Sequence, residues 1–129
     1  MTVQNIITAA LAYAYEEPDK DVITRNIEIP LINLGIAELT DAENAFRANK
    51  EHTTQLALPI RVARPEDDVP YDYHITDILL PLWLCNRIFE GMDDHFKAEY
   101  YRSVYIDMYH RTIPAEWDTR EAVRQDAQS

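Results

Sequence analysis

The chain is short of several things at once. It has two glycines, one cysteine, and only 12 Lys and Arg against 23 Asp and Glu in 129 residues. So few glycines make poor provision for the positive-φ turns of an all-β protein and suit helices instead. A single cysteine, Cys85, cannot form an internal disulfide, which points to a reducing compartment. The formal charge of -11 argues against nucleic acid as an adhesive partner, because phosphate backbones are held by Lys and Arg. It does not exclude a place beside DNA. No run approaches the roughly 18 apolar residues of a membrane span, and the N-terminus lacks the basic segment of a signal peptide. A soluble protein of intracellular origin, with no membrane partner, is the expectation.

What is present is enough for one modest core. The apolar fraction is 47%, sufficient to offset chain entropy in a single domain of this size. Thr2 reads as the N-cap of a helix running to about Glu16, with Val3, Ile6, Ile7, Ala10, Leu11 and Ala14 on one face. Glu17-Pro18-Asp19 breaks it, since the residue before proline is pushed out of the helical region. A second helical region is expected from about Asp19 to Lys50, interrupted or restarted near Pro30. Beyond Pro30, Ile32, Ile36, Leu39, Glu43 and Phe46 lie near one line, and Arg47 and Lys50 suit the negative end of the helix dipole.

From residue 51 to 73 the period changes. Residues 55–64 partly alternate, so an extended segment or a short edge strand is expected there, with Pro59 and Pro65 confining any strand to an edge. The acidic stretch 66–72 reads as a solvated turn. So long a connection between helices is a natural docking arm, and it is expected to be the least protected part of the subunit.

The best-written stretch is Pro70 to Ile113. Two amphipathic patterns flank Gly91-Met92-Asp93-Asp94, as in an antiparallel helix pair. Ile75, Ile78, Leu79, Leu82, Trp83 and Phe89 recur in the first, with Pro81 a kink. Phe96, Tyr100, Val104 and Met108 step by four in the second, widened by Tyr101 and Tyr105. Helices over about 75–90 and 94–111 should share a core, with Trp83 and Phe96 mostly buried. The expected fold is therefore all-α: a small helical bundle over residues 1–113 with a long extended loop or short edge strand between its second and third helices. Residues 114–129 read as a polar tail or docking arm.

Chemistry is thin. His95 and Glu99, and Asp107 and His110, have spacings that share a helix face. Three or four converging metal ligands are not written, so neither metal nor cofactor is expected. Asp93 and Asp94 read as capping residues, Cys85 as a buried structural thiol, Gly35 as a site of close helix packing and Gly91 as a helix end. No catalytic residue and no enzymatic activity are expected. Tyrosine is over-used: four of the eight fall on the helix after Asp94. An aromatic stripe at helical spacing is usually core, but four tyrosines cover more than one face, and tyrosine is favoured at interfaces. Tyr101, Tyr105, Tyr109, Tyr71 and Trp117 are the candidate interface residues.

In order and spacing, residues 3–113 resemble the head–tail connector or adaptor proteins of tailed phages and prophages. The likeness is carried by Val3-Gln4-Asn5-Ile6-Ile7, by Ile29-Pro30-Leu31-Ile32-Asn33-Leu34-Gly35-Ile36-Ala37-Glu38-Leu39, and by Glu43-Asn44-Ala45-Phe46-Arg47. It continues in Val69-Pro70-Tyr71-Asp72, Ile78-Leu79-Leu80-Pro81-Leu82-Trp83-Leu84, and Ala98-Glu99-Tyr100-Tyr101-Arg102-Ser103-Val104-Tyr105. The resemblance implies a structural subunit of the virion, made in the bacterial cytoplasm. It forms a cyclic homo-oligomer beneath the portal, contacts portal and tail or head-completion proteins, and lets DNA pass through without specific binding. The polar segment after Pro114 departs from the pattern. An acidic conduit that does not hold DNA agrees with the charge. The alternative is an acidic DNA-mimic or inhibitor that occupies a nucleic-acid enzyme; such a protein should show a dense carboxylate stripe, whereas here basic residues are interspersed throughout.

Overall fold

A computed structural model of the chain describes residues 1–14, 29–50 and 53–113. Four α-helices are found among them: α1 (Val3–Tyr13), α2 (Ile29–Ala48), α3 (Leu80–Gly91) and α4 (His95–Thr112). A π-helical segment, His74–Leu79, runs directly into α3. The fold is all-α, as the composition predicts. No strand forms among the described residues; one isolated antiparallel bridge, Thr2 to Asp68, is all that the alternation between residues 55 and 64 leads to nearby. The helical stretch expected from Asp19, the break at Glu17-Pro18 and the tail 114–129 lie outside the described residues.

Each helix begins for a chemical reason. Thr2 caps α1, its hydroxyl accepting the Asn5 N–H at 3.2 Å. The Val3 and Gln4 N–H groups, which have no partner within the helix, donate to the carbonyls of Asp67 (3.0 Å) and Pro65 (2.9 Å). Pro30 falls in the first turn of α2, where its missing N–H is not needed. Asp94 caps α4, accepting from the Lys97 N–H at 3.1 Å.

Pro81 is the expected irregularity, and the helix absorbs it upstream. In the π-helical turn, Leu80 N–H donates to the carbonyl of Ile75, five residues back. Pro81 has no N–H to offer the carbonyl of Asp77, and the Tyr13 hydroxyl donates to that oxygen at 3.3 Å. The turn after α3 ends the helix at its glycine, as expected, but takes its left-handed residue two positions later. Gly91 is the last residue of α3, and Asp93 takes the left-handed conformation (φ 56°). Asp93 N–H donates to Glu90 C=O and Asp94 N–H to Phe89 C=O, a Schellman closure with an aspartate in the glycine position.

The described segments share one core, built from Val3, Ile6, Ile7 and Ala10 of α1, Ile32, Ile36 and Leu39 of α2, and Ile75, Leu79, Leu80, Leu84 and Phe89 of the long helix. α4 lies antiparallel against α3, its Ala98 carbonyl accepting from Asn86 Nδ2 at 2.8 Å and Tyr101 stacked on Phe89 with centroids 5.4 Å apart. Trp83 is buried, 3% exposed. Phe96 is not: it is 85% exposed, the reverse of the expectation. The cause is helical geometry. At 3.6 residues per turn, a step of four overshoots by about 40°, so the line Phe96–Tyr100–Val104–Met108 winds by about 120° over its length. Met108 ends beside the core and Phe96 points away from it. The seam is made instead by Ala98 and Tyr101, both buried.

The 51–73 connection also departs from the expectation of a loose arm. Its described part, from residue 53 on, is strapped along α2. Asn44 exchanges two hydrogen bonds with the backbone of Leu56, and Asn33 does the same with Val62, so each side chain pairs as a neighbouring strand would. Arg47 donates to the carbonyls of Thr54 and Pro70. Val62 and Val69 are core residues.

Candidate interaction surface

Three polar side chains of α2, Thr40, Glu43 and Arg47, converge on Pro70-Tyr71-Asp72. Buried Glu43 accepts the Asp72 N–H at 2.8 Å and pairs with Arg47 at 3.2 Å. The Tyr71 hydroxyl lies 2.8 Å from Thr40 Oγ1 and accepts the Ile60 N–H at 3.2 Å. Asp72 meets Lys50 Nζ at 2.7 Å and His74 Nδ1 at 2.6 Å. Burial works against the Asp72 charge, yet the hydrogen bonds from Lys50 and from the His74 backbone and ring outweigh it and hold the carboxyl below its usual range. His74 is flanked by the rings of Phe46 and Tyr73. The cluster resembles an oriented Asp–His pair, but every partner just named is spent on joining the strap to α2 and to the start of the π-helical turn. Its chemistry is that of a clamp.

The candidate interface residues separate on burial. Tyr71 and Tyr101 are core side chains of the chain by itself: the Tyr101 hydroxyl donates to the Tyr13 carbonyl at 2.8 Å and only 7% of the residue is exposed. Tyr105 and Tyr109 are half-buried on α4, rings 6.1 Å apart. Trp117 lies outside the described residues. The pairs His95/Glu99 and Asp107/His110 do not act as pairs; Glu99 lies beside Arg102 (3.9 Å) and Asp107 pairs with Arg111 (3.1 Å). Cys85 is fully buried, its thiol donating to the Ala10 carbonyl at 3.0 Å, and burial pushes its pKa up to about 12. It is no nucleophile at neutral pH. Among the described residues no three His, Cys, Asp or Glu side chains are grouped as metal ligands, and no helix is long and apolar enough to cross a membrane.

What sequence reading missed is the surface that Phe96 opens. Met92 (58% exposed), Phe96 and Tyr100 (58% exposed) follow one another at intervals of four across the hairpin tip and the first turns of α4. Tyr100 then forms one wall of an apolar cleft of about 210 Å³ whose other walls are Tyr13, Ile78, Leu82, Tyr101, Val104 and Met108. The outward winding of a step-of-four stripe was the available signal. Comparison with protein-family models, with curated proteins and with solved structures finds no match to the chain.

Proposed function

We propose that the chain is a structural assembly subunit of the head–tail connector type, forming a ring beneath a phage portal around the DNA passage. The observation that supports this best is the Met92–Phe96–Tyr100 strip. A phenylalanine 85% exposed on a capped helix is an anchor that gains by burial against another surface. The partner assigned to it is a second copy of the chain, because heterologous contacts between copies close into rings when the rotation allows. Portal and tail or head-completion proteins contact the ring, and the site of action is the virion. The net charge of -11 suits a wall that DNA slides past without sticking. No catalytic step is assigned: the best-built polar cluster is a clamp and the one cysteine is inert.

The rival DNA-mimic reading asks for a bare run of carboxylates. On α4 and its approach three acidic side chains lie beside bases instead, Glu90 with Arg87, Glu99 with Arg102 and Asp107 with Arg111. Electron microscopy of the concentrated protein, alone and with its portal, tests the proposal; closed rings of uniform size are expected. A strict monomer that ignores portal but binds a nuclease or repressor tightly would overturn it in favour of the mimic.

A further inference from the structure

On the other side of α4 a second cleft has a different chemistry. It measures about 250 Å³ and is lined by Glu38 of α2 and by Tyr105, Ile106, Tyr109 and His110 of α4. Glu38 is held in place from below: the buried Trp83 donates its indole N–H to Oε2 at 2.7 Å. That bond uses one oxygen of the carboxylate and leaves its negative charge at the cleft. The chain's own arginines nearby are directed elsewhere, Arg87 over the Trp83 ring and to Glu90, Arg111 to Asp107. Among the described residues Glu38 has no ion-pair partner. Two phenol rings, those of Tyr105 and Tyr109, stand among its described walls with their planes tilted by 49°.

We propose that this cleft binds an organic monocation, an alkylammonium or guanidinium group, by pairing it with Glu38 and laying it against Tyr105 and Tyr109. One fixed carboxylate supplies a charge of the right sign, and the electron-rich faces of aromatic rings attract a weakly hydrated cation within about 6 Å of their centroids. Guanidinium fits this combination well because it is planar, stacks on rings and pairs with carboxylates. A divalent metal does not fit the described walls, since Ca²⁺ or Mg²⁺ requires six or more oxygen ligands and among the described residues the cleft offers one carboxylate. The source is either a small free cation or an arginine or lysine side chain presented by a protein. The site stands apart from the Met92–Phe96–Tyr100 strip and does not depend on the assembly reading.

The test is nuclear magnetic resonance of the full chain, following the Trp83 indole N–H, which reports directly on Glu38; a Trp117→Phe variant assigns the two indole signals. Methylguanidinium should move the Trp83 signal saturably, and neutral methylurea should not. Glu38→Gln keeps an acceptor for the indole while removing the charge, and should weaken binding about tenfold or more. Tyr105→Leu with Tyr109→Leu should weaken it by about fivefold and leave the Trp83–Glu38 bond in place. A short arginine peptide, compared with its citrulline counterpart, identifies the source: tighter binding than methylguanidinium assigns the cleft to a protein side chain, and equal binding to a small cation. No saturable shift, an equal response to methylurea, or unchanged binding in Glu38→Gln would overturn the proposal.

Discussion

Gly35 shows how one side chain's absence positions a helix. A Cβ built there would lie 2.6 Å from Leu80 Cδ1 and 2.8 Å from Trp83 Cε3. Leu80 has a flexible end, but the Trp83 ring is pinned by Glu38 and cannot give way cheaply. Gly35→Ala gains about 1 kcal/mol of helix propensity and loses about 1–3 kcal/mol to overpacking; net destabilisation in urea unfolding is expected, with the Trp83 indole signal displaced. Asp93 is the opposite case, a residue with a Cβ where none is wanted. Its left-handed φ of 56° is strained for any L side chain, and Asp93→Gly should stabilise the hairpin by about 0.5–1 kcal/mol, read as a higher denaturant midpoint with an unchanged slope. Gly35 was legible as a packing site because an isolated glycine in an amphipathic helix has few other uses. Asp93 was read as a cap because its neighbour Asp94 is one, and nothing in a run of two aspartates distinguishes the left-handed position from the N-cap that follows it.

At the scale of elements, the strap and its clamp carry the main revision. Prolines, acidic residues and the lack of an apolar period between 51 and 73 describe a segment without a helix or strand of its own, and that much holds for residues 53–73. What they do not describe is that α2 supplies the structure from outside through Asn33, Glu43, Asn44 and Arg47, of which the sequence reads Arg47 only as a helix-end cation and Glu43 only as part of the apolar line. Side-chain amides that pair with a distant backbone have no sequence period. The Leu56 and Val62 amides should therefore exchange with solvent more slowly than exposed loop amides, and Asn44→Ala should release Leu56 and cost about 1–2 kcal/mol by leaving its backbone groups unpaired. Rapid exchange at both amides in the native chain would contradict the strap. The clamp also has a pH signature. Asp72 is held below its usual range by Lys50 and His74, and Asp67 by the Ala63 and Arg64 N–H groups. A carboxyl whose folded pKa lies below its unfolded value of about 3.9 gives stability that is present above that value and lost as pH falls through the folded pKa. Loosening of the strap below about pH 4 is expected, and Asp72→Asn should flatten that acid limb in an unfolding-versus-pH series.

For the whole molecule, the legible part was the core and the illegible part was the outside of α4. Trp83, Leu79 and the α3–α4 hairpin follow from apolar spacing, and Leu79→Ala should cost about 2–5 kcal/mol. α4 carries aromatic residues around most of its circumference, so period alone could not decide which face meets the core; the contacts of Ala98 with Asn86 and of Tyr101 with Phe89 decide it and leave Phe96 outside. The central claim is that this outside is an assembly contact opposed by the charge of -11 on each copy. Screening shortens that repulsion, with a Debye length of about 10 Å at 0.1 M salt against about 30 Å at 0.01 M. Light scattering across protein concentration at low and high salt, run on the native chain and on Phe96→Ser, tests it most directly. Replacing so exposed a side chain should leave the unfolding midpoint nearly unchanged. The native chain should pass from monomer to a single larger species as concentration and salt rise, and Phe96→Ser should remain monomeric over the same range. A native chain that stays monomeric throughout, or a Phe96→Ser chain that associates just as readily, would contradict the account.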